Sequence, residues 1–400
     1  MNKEKLVISM DKQMIYLKIV DTTQEFRELK YKWNSLLEQC SNPNVFLSWE
    51  WLFTWWEFYS ASYQLCILLA LDQEEAILGI APLCFSRTSK LKLKTLRFLG
   101  TEEVCSDHLD FILKEGREKE TLTLFFKYFE DNPKEWDLLD LTDFREDSFS
   151  LSSIQAWAEK NRFSFSVDLW TLCPYALLPD TWEGFLSGLS SNARKDIRRQ
   201  IRLFGELKDV KYSFVKARDD VLPKMERLFY LHTKRWSTLG QEGVFHRERF
   251  NRFHVKIAEL LFNKGWLFLS YLASSESIFA ICYTYRYSDK LYGYQFGLDP
   301  DWKAFSPGTV LMARTTESAI SQGIKEFDFL RGEAPYKHKW AENERKNVRV
   351  LVWNRNFKSA IHRNFLSCLA RSKKLVKRYA PDFVIKVLKF LWQKAGLAGE

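Results

Sequence analysis

Glycine and proline are scarce, 16 and 10 among 400 residues. With 46% hydrophobic residues, that excludes a disordered chain, a collagen-like repeat and a low-complexity scaffold. No C-x-x-C pair occurs among the seven cysteines, at 40, 66, 84, 105, 173, 282 and 368. Odd in number, scattered and mostly set in apolar stretches, they predict reduced, buried thiols rather than a disulfide frame or a zinc site. The histidines at 232, 246, 254, 338 and 362 lack metal-ligand spacing, so no metal is expected. No run reaches about 18 uncharged apolar residues, so no membrane span is expected. Residues 1–12 lack a continuous apolar core, which argues against a secretory leader and for a cytoplasmic location.

Aromatic residues are abundant instead: 15 Trp, 16 Tyr and 32 Phe. They suit a large core and a cleft for something bulky, and the length predicts two to three domains at about 150 residues each. The formal charge of +9 is unevenly placed. Residues 357–400 hold ten Lys/Arg and two acids, a net +8; the other 356 residues hold 50 Lys/Arg and 49 Asp/Glu, a net +1. A nearly neutral body disfavours DNA binding, whose phosphate footprint spreads cations over the binding face. The basic tail, interleaved with Phe357, Ile361, Phe365 and Leu369, fits helices on an anionic membrane surface; a helix pair packed on the body with a solvated basic side fits equally.

Hydrophobic periodicity predicts strands at 14–20, 64–71, 76–86, 94–99, 107–113, 136–142 and 163–172. Helices are predicted at 23–39, from Ser48 through Phe58, at 118–130 and at 150–161. The pattern then restarts with a basic helix pair (181–205), strand 211–216, helices 219–240 and 247–264, and strands 266–273, 277–287 and 290–298. A helix from Ser306 to about 322 and strands 325–330 and 348–353 close the second half. An α/β fold with mixed sheets in two similar halves is expected: 1–175, 176–356, and a helical tail from 357 to 400.

Chemistry concentrates in residues 290–340. Ser306 as N-cap with Pro307 at N1 is a strong helix start. Gly308 and Thr309 would point free N–H groups out of the first turn, a ready anion site suited to a pyrophosphate, although a plain capped helix reads the same way. Phe327 and Phe329 flank Asp328, so the acid projects from the opposite face of its strand. A buried acid there needs a partner, and Arg331 or Lys337 could supply one. Upstream, Arg194, Arg198 and Arg202 repeat every fourth residue and share a helix face, which suits phosphate or sugar-nucleotide recognition or simply a solvated face. His108, between Asp107 and Leu109, reads more as a structural residue than a catalytic one. Trp49, Trp51, Trp55 and Trp56 read more as core than as a sugar platform.

Several stretches together carry a family resemblance. They are Phe46–Trp56, Leu96–Gly100 with Ser106–Phe111, Leu189–Arg199, Leu231–Trp236, Phe305–Leu311, Phe327–Gly332 and Tyr336–Trp340. Over about residues 25–353 the chain resembles the GNAT acyltransferases of the CelD/BcsL-like type, linked to cellulose and exopolysaccharide biosynthesis. More distantly it is similar to the Fem-type aminoacyltransferases, which share a tandem-GNAT architecture. The usual Gly-rich pyrophosphate loop is replaced here by Lys303–Gly308, which leaves acyl-CoA and aminoacyl-tRNA both open as donors.

The resemblance implies direct attack of an amine on a thioester. It implies acyl-CoA (acetyl-CoA) as co-substrate, held by Ser306, Gly308, Thr309 and Tyr294. Asp328 would act as base or amine-orienting carboxylate and Tyr336 or Tyr294 as acid. Arg194, Arg198, Arg331 and Lys337 would bind substrate, a small-molecule or lipid-linked glycan acceptor. The first half would be a non-catalytic partner, since Glu118 opens its corresponding helix with an acid. A non-catalytic glycan-binding protein is the remaining alternative.

Overall fold

The computed structural model describes residues 7–10, 13–87, 92–332 and 334–379. The first half runs β1 (Val7–Met10), β2 (Gln13–Val20), α1 (Thr23–Glu28), α2 (Lys30–Leu37), α3 (Trp49–Tyr59), β3 (Tyr63–Leu71), β4 (Ile77–Ser86), β5 (Thr95–Phe98), β6 (Ile112–Leu113), α4 (Glu118–Asp131), β7 (Leu138–Arg145), α5 (Phe149–Lys160) and β8 (Ser164–Leu177). The second runs α6 (Trp182–Gly188), α7 (Ser191–Gly205), β9 (Lys211–Phe214), α8 (Val221–Ser237), α9 (Glu248–Asn263), β10 (Leu267–Ala273), β11 (Ile278–Tyr287), β12 (Lys290–Leu298), α10 (Pro307–Ser321), β13 (Glu326–Asp328) and β14 (Asn343–Trp353). A last helix, α11, spans Phe357–Tyr379; the remainder of the expected basic tail, 380–400, lies outside the described residues.

All fourteen strands join one mixed sheet, ordered β1-β2-β3-β4-β5-β7-β14-β8-β13-β12-β11-β10-β9, with β6 on β4. Read outward from the β14–β8 seam, the two wings match. Each has a parallel pair, β5 with β7 and β12 with β13, and antiparallel pairs elsewhere. The halves exchange their last strands: β8, from the first half, pairs with β13, while β14, from the second, pairs with β7. Residue 175 therefore lies within β8, and the sheet passes through it unbroken.

Local chemistry explains most elements. Ser48 caps α3 by accepting from the Trp51 N–H, as its sequence predicts. Gly323, at φ 77°, ends α10 in the left-handed conformation glycine adopts without strain. Trp49, Trp51, Trp55 and Trp56 are buried, so the tryptophan helix is core. The rings of Phe46 and Trp51 meet Tyr285 of β11 edge-on, at 6.2 and 5.5 Å, so aromatic residues of the first half pack on the sheet of the second.

Three expectations are corrected. The helix predicted over 23–39 is interrupted at Leu29, which bonds back to Phe26 in a tighter turn. Of the strand predicted over 107–113 only Ile112–Leu113 pairs, because the preceding residues leave the sheet in an excursion from Leu99 to Phe111. The final strand starts at Asn343, not 348; its polar first residues read as loop but pair with β8.

Candidate functional site

In the second half, β12 and β13 run parallel only from Lys290 to Tyr292, ending where Tyr292 faces Asp328. Beyond that point β12 stays with β11, while the chain after β13 follows β8, with Phe329 N–H donating to Pro174 O and Gly332 N–H to Leu172 O. The two strands thus part into a wedge. The pairing of β11 and β12 slips at Gly293–Tyr294, a bulge at the wedge's apex. The ring of Tyr336, 42% exposed, stands edge-on to Phe296 of β12 at 6.1 Å, inside the mouth.

Helix α10 starts at that mouth. Ser306 is its N-cap, but not in the expected way: it is left-handed (φ 48°), and its hydroxyl makes no capping bond. Its carbonyl accepts the first bonds of the helix, from the N–H groups of Thr309 and Val310 at 3.0 and 3.3 Å. The Thr309 N–H is therefore engaged, while the Gly308 N–H finds no acceptor among the described residues. A Cβ on Gly308 would lie 3.0 Å from Leu298 Cδ1, so glycine lets the helix start sit against the end of β12.

At the apex the excursion of the first half enters. His108 Nε2 lies 3.0 Å from Asp328 Oδ2, and His108 Nδ1 lies 2.9 Å from Asn347 Oδ1 of β14. Asn347 Nδ2 donates to Asp107 Oδ1 at 3.1 Å. A carboxylate only accepts, so the amide turns its oxygen to His108, and both imidazole nitrogens face acceptors. The pocket therefore suits a His108 that donates from both ring nitrogens, the imidazolium form. Burial opposes that charge, but the Asp328 and Asp107 carboxylates raise the group above its ordinary value. Burial likewise works to raise Asp328, yet His108 and then Arg345 hold its carboxyl below the usual range. Arg345 of β14 reaches Asp328 at 3.1 Å and Glu326 at 2.8 Å. Arg331 forks between Asp107 (3.0 Å) and Asp143 of β7 (2.6 Å), so it ties the halves together.

The predicted residues are thus partly brought together. Asp328, Arg331 and Lys337 share the seam, with the Lys337 ammonium bound to the carbonyls of Leu330 (3.0 Å) and Arg331 (2.6 Å). Ser306, Gly308, Thr309 and Tyr336 flank the wedge mouth. Tyr294 is directed elsewhere: its hydroxyl donates to Val104 O at 2.7 Å and meets His254 Nε2 at 3.0 Å. Half-buried Arg194 and exposed Arg198 of α7 are bonded to Ser187 O and Glu183. Sequence reasoning missed Asp107, Asp143, Arg345 and Asn347, and took His108 as a structural residue. The backbone marks the site too: Cys105, His108, Asp143, Ser306 and Leu330, five of the eleven described non-glycine residues with positive φ, lie around it.

A small cavity adjoins the apex, lined by Asn44, His108, Asp110, Lys290, Tyr292 and Asp328 among others. Among the described residues no cluster of three or more His, Cys, Asp or Glu could hold a metal ion, and no helix is long and apolar enough to cross a membrane.

Comparison with known proteins agrees with this geometry. Residues 191–338 match the acetyltransferase (GNAT) domain family. No curated protein matches the chain by sequence. Among solved structures, FemX overlaps with a TM-score of 0.57 at 11% identity, covering 82% of this chain and 96% of its own. A conserved protein of unknown function from Bacteroides thetaiotaomicron overlaps with a TM-score of 0.55 at 12% identity, covering 84% and 99%. Identities this low speak for the fold alone. The parted parallel strands, the helix opening beside them and the matched wings of the sheet come together in one statement: residues 191–338 are similar to the acetyltransferase (GNAT) domain family, and they lie in a mixed sheet whose two halves repeat one strand pattern.

Proposed function

We propose that the chain is an acyltransferase that moves an acyl group from acyl-CoA to an amine, with the donor in the wedge between β12 and β13. The observation that carries this is the parting of the parallel pair beside a helix start whose Gly308 N–H is unengaged. A thioester supplies the activated acyl carbon; the residues here bind, orient and move the proton. The Gly308 N–H and the positive end of α10 suit the donor's pyrophosphate. The bulge at Gly293–Tyr294 suits a backbone hydrogen bond to the thioester oxygen as charge develops there. The amine nitrogen attacks the acyl carbon, the carbon–sulfur bond breaks, and the proton lost by nitrogen ends on sulfur. Burial pushes the Tyr336 phenol up to about 12, so it stays protonated and suits donation toward the leaving sulfur.

Asp328 is better placed to position than to act as base. A carboxylate held below its ordinary range is a weak base, and this one holds His108 and Arg345 across the seam. The small adjoining cavity carries both signs of charge, Asp110, Glu326 and Asp328 with Arg145, Lys290 and Arg345, and by itself marks no acceptor group. An amino sugar or other cell-envelope precursor as acceptor rests on the CelD/BcsL-like resemblance. The first half is the non-catalytic partner. Its β5 ends at Phe98 and gives way to the excursion, and α4 opens with Glu118 and Glu120 where an anion would sit.

The test is thermal stability against acetyl-CoA, longer acyl-CoAs and free CoA. Binding at 100-fold the Kd stabilises by about 2.7 kcal/mol. A shift that Gly308→Glu removes is the expected result. No shift with any CoA sinks the donor assignment and brings forward aminoacyl-tRNA donors or a binding role.

A further inference from the structure

We propose that α11 docks the protein on an anionic lipid bilayer through an apolar stripe that the described residues of the body leave uncovered. Among the described residues the helix is anchored on one side. Ser359 Oγ donates to Asp137 O at 2.7 Å, Trp353 Nε1 donates to His362 Nδ1 at 3.0 Å, and Leu366 packs against Leu138, Leu351 and Trp353. At about 100° per residue, Ser359, His362 and Leu366 lie within roughly 60° of one another and form the side facing the body.

Phe357, Ile361 and Phe365 project from a different side, spaced every fourth residue within an arc of about 80°. They are 81%, 43% and 49% exposed. Large apolar side chains this exposed, in line on one helix, are unlike the scattered singles of an ordinary surface. Lys358 borders the stripe on one side and Arg371 on the other, both exposed. An apolar stripe edged by cations is the pattern of a helix lying in the plane of a membrane interface. Charge selects the occupant. Residues 357–400 carry ten cations and two acids, which attract anionic headgroups and repel a second copy of the same helix.

The placement also separates this surface from the transfer site. Along β14, Trp353, beside α11, is eight residues from Arg345 at the seam, about 27 Å at 3.4 Å per residue. Substitutions on the stripe should leave donor binding unchanged, and Gly308→Glu should leave membrane binding unchanged.

The experiment is co-sedimentation of the full chain with vesicles of phosphatidylcholine alone and of phosphatidylcholine mixed with phosphatidylglycerol. The expected result is binding to the anionic vesicles that weakens with added salt. It should drop about tenfold or more in Phe357→Asp/Phe365→Asp, with the melting temperature unchanged. Equal binding by that variant overturns the proposal, because the cations alone then suffice. Absence of binding to anionic vesicles overturns it too. So does a wild-type dimer, seen by light scattering, that the variant dissolves while vesicles are ignored; the stripe would then meet a second copy.

Discussion

At the residue scale the seam is a chain of alternating charges contributed by both halves, Asp143, Arg331, Asp107, His108, Asp328 and Arg345, bridged between Asp107 and His108 by the neutral amide of Asn347. Asp328 is 1% exposed and His108 5%, so removing the Asp328 charge strands the imidazole, and part of the Arg345 charge, in low dielectric. Asp328→Asn should destabilise the fold by about 3 kcal/mol, measured by urea denaturation. A loss below about 0.5 kcal/mol would show that the pair contributes nothing net. The pH response follows from the directions of the two shifts. His108 is raised, so its contribution is complete below the ordinary histidine value of 6.5 and is lost as pH rises through its higher folded value. Asp328 is lowered, so its contribution holds above the ordinary value of 3.8 and is lost as pH falls through its folded value. The melting temperature should fall on the alkaline side, and His108→Gln should flatten that fall. An unchanged alkaline limb in the variant would count against the imidazolium.

At the element scale, the wedge was legible in outline. The strand 290–298, the helix start at Ser306 and the projection of Asp328 opposite Phe327 and Phe329 all follow from period and capping chemistry. What was illegible depends on residues far apart in sequence. His108 meets Asp328 across 220 residues and Asn347 across 239. No periodicity encodes those meetings, and Asn343–Asn347 reads as a polar loop until β8 is placed beside it. Ser306 shows a subtler limit: the sequence marks the cap position, but not that its hydroxyl stays out of the cap. Two element-level outcomes follow. Tyr336→Phe should lower kcat by about ten- to a hundredfold with KM for the donor little changed, if its hydroxyl protonates the leaving sulfur. A matched rise in KM would mean that the ring only shapes the mouth. A Cβ on Gly297 would come within 3.0 Å of Ile281 Cγ2, Leu228 O and Leu231 Cβ. Gly297→Val should therefore cost about 1–3 kcal/mol by pushing α8 from the sheet, read as a lowered urea midpoint.

At the scale of the whole molecule, two similar halves make one body. The first half lends the second its histidine and a strand, and its own parallel pair is interrupted where the excursion departs. The duplication was visible in the order of helices and strands, but the exchange of final strands was not, since β8 and β14 each look like the natural end of their own half. Residues 1–175 and 176–400 expressed apart should fail to fold cooperatively, and mixing them should restore a single melting transition. Independent, sharp unfolding of either piece would contradict the exchange.

The same exchange orders events in time. The slot between β7 and β8 is filled by β14, whose last residue is Trp353. During synthesis, nearly nine-tenths of the chain must leave the ribosome before that slot can close, and until then two strand edges lie open side by side. Sheets closed by pairings this distant form slowly, and open edges recruit other chains. The newborn protein is therefore most vulnerable just before its final strand arrives, when chaperones or an identical neighbour compete for the gap.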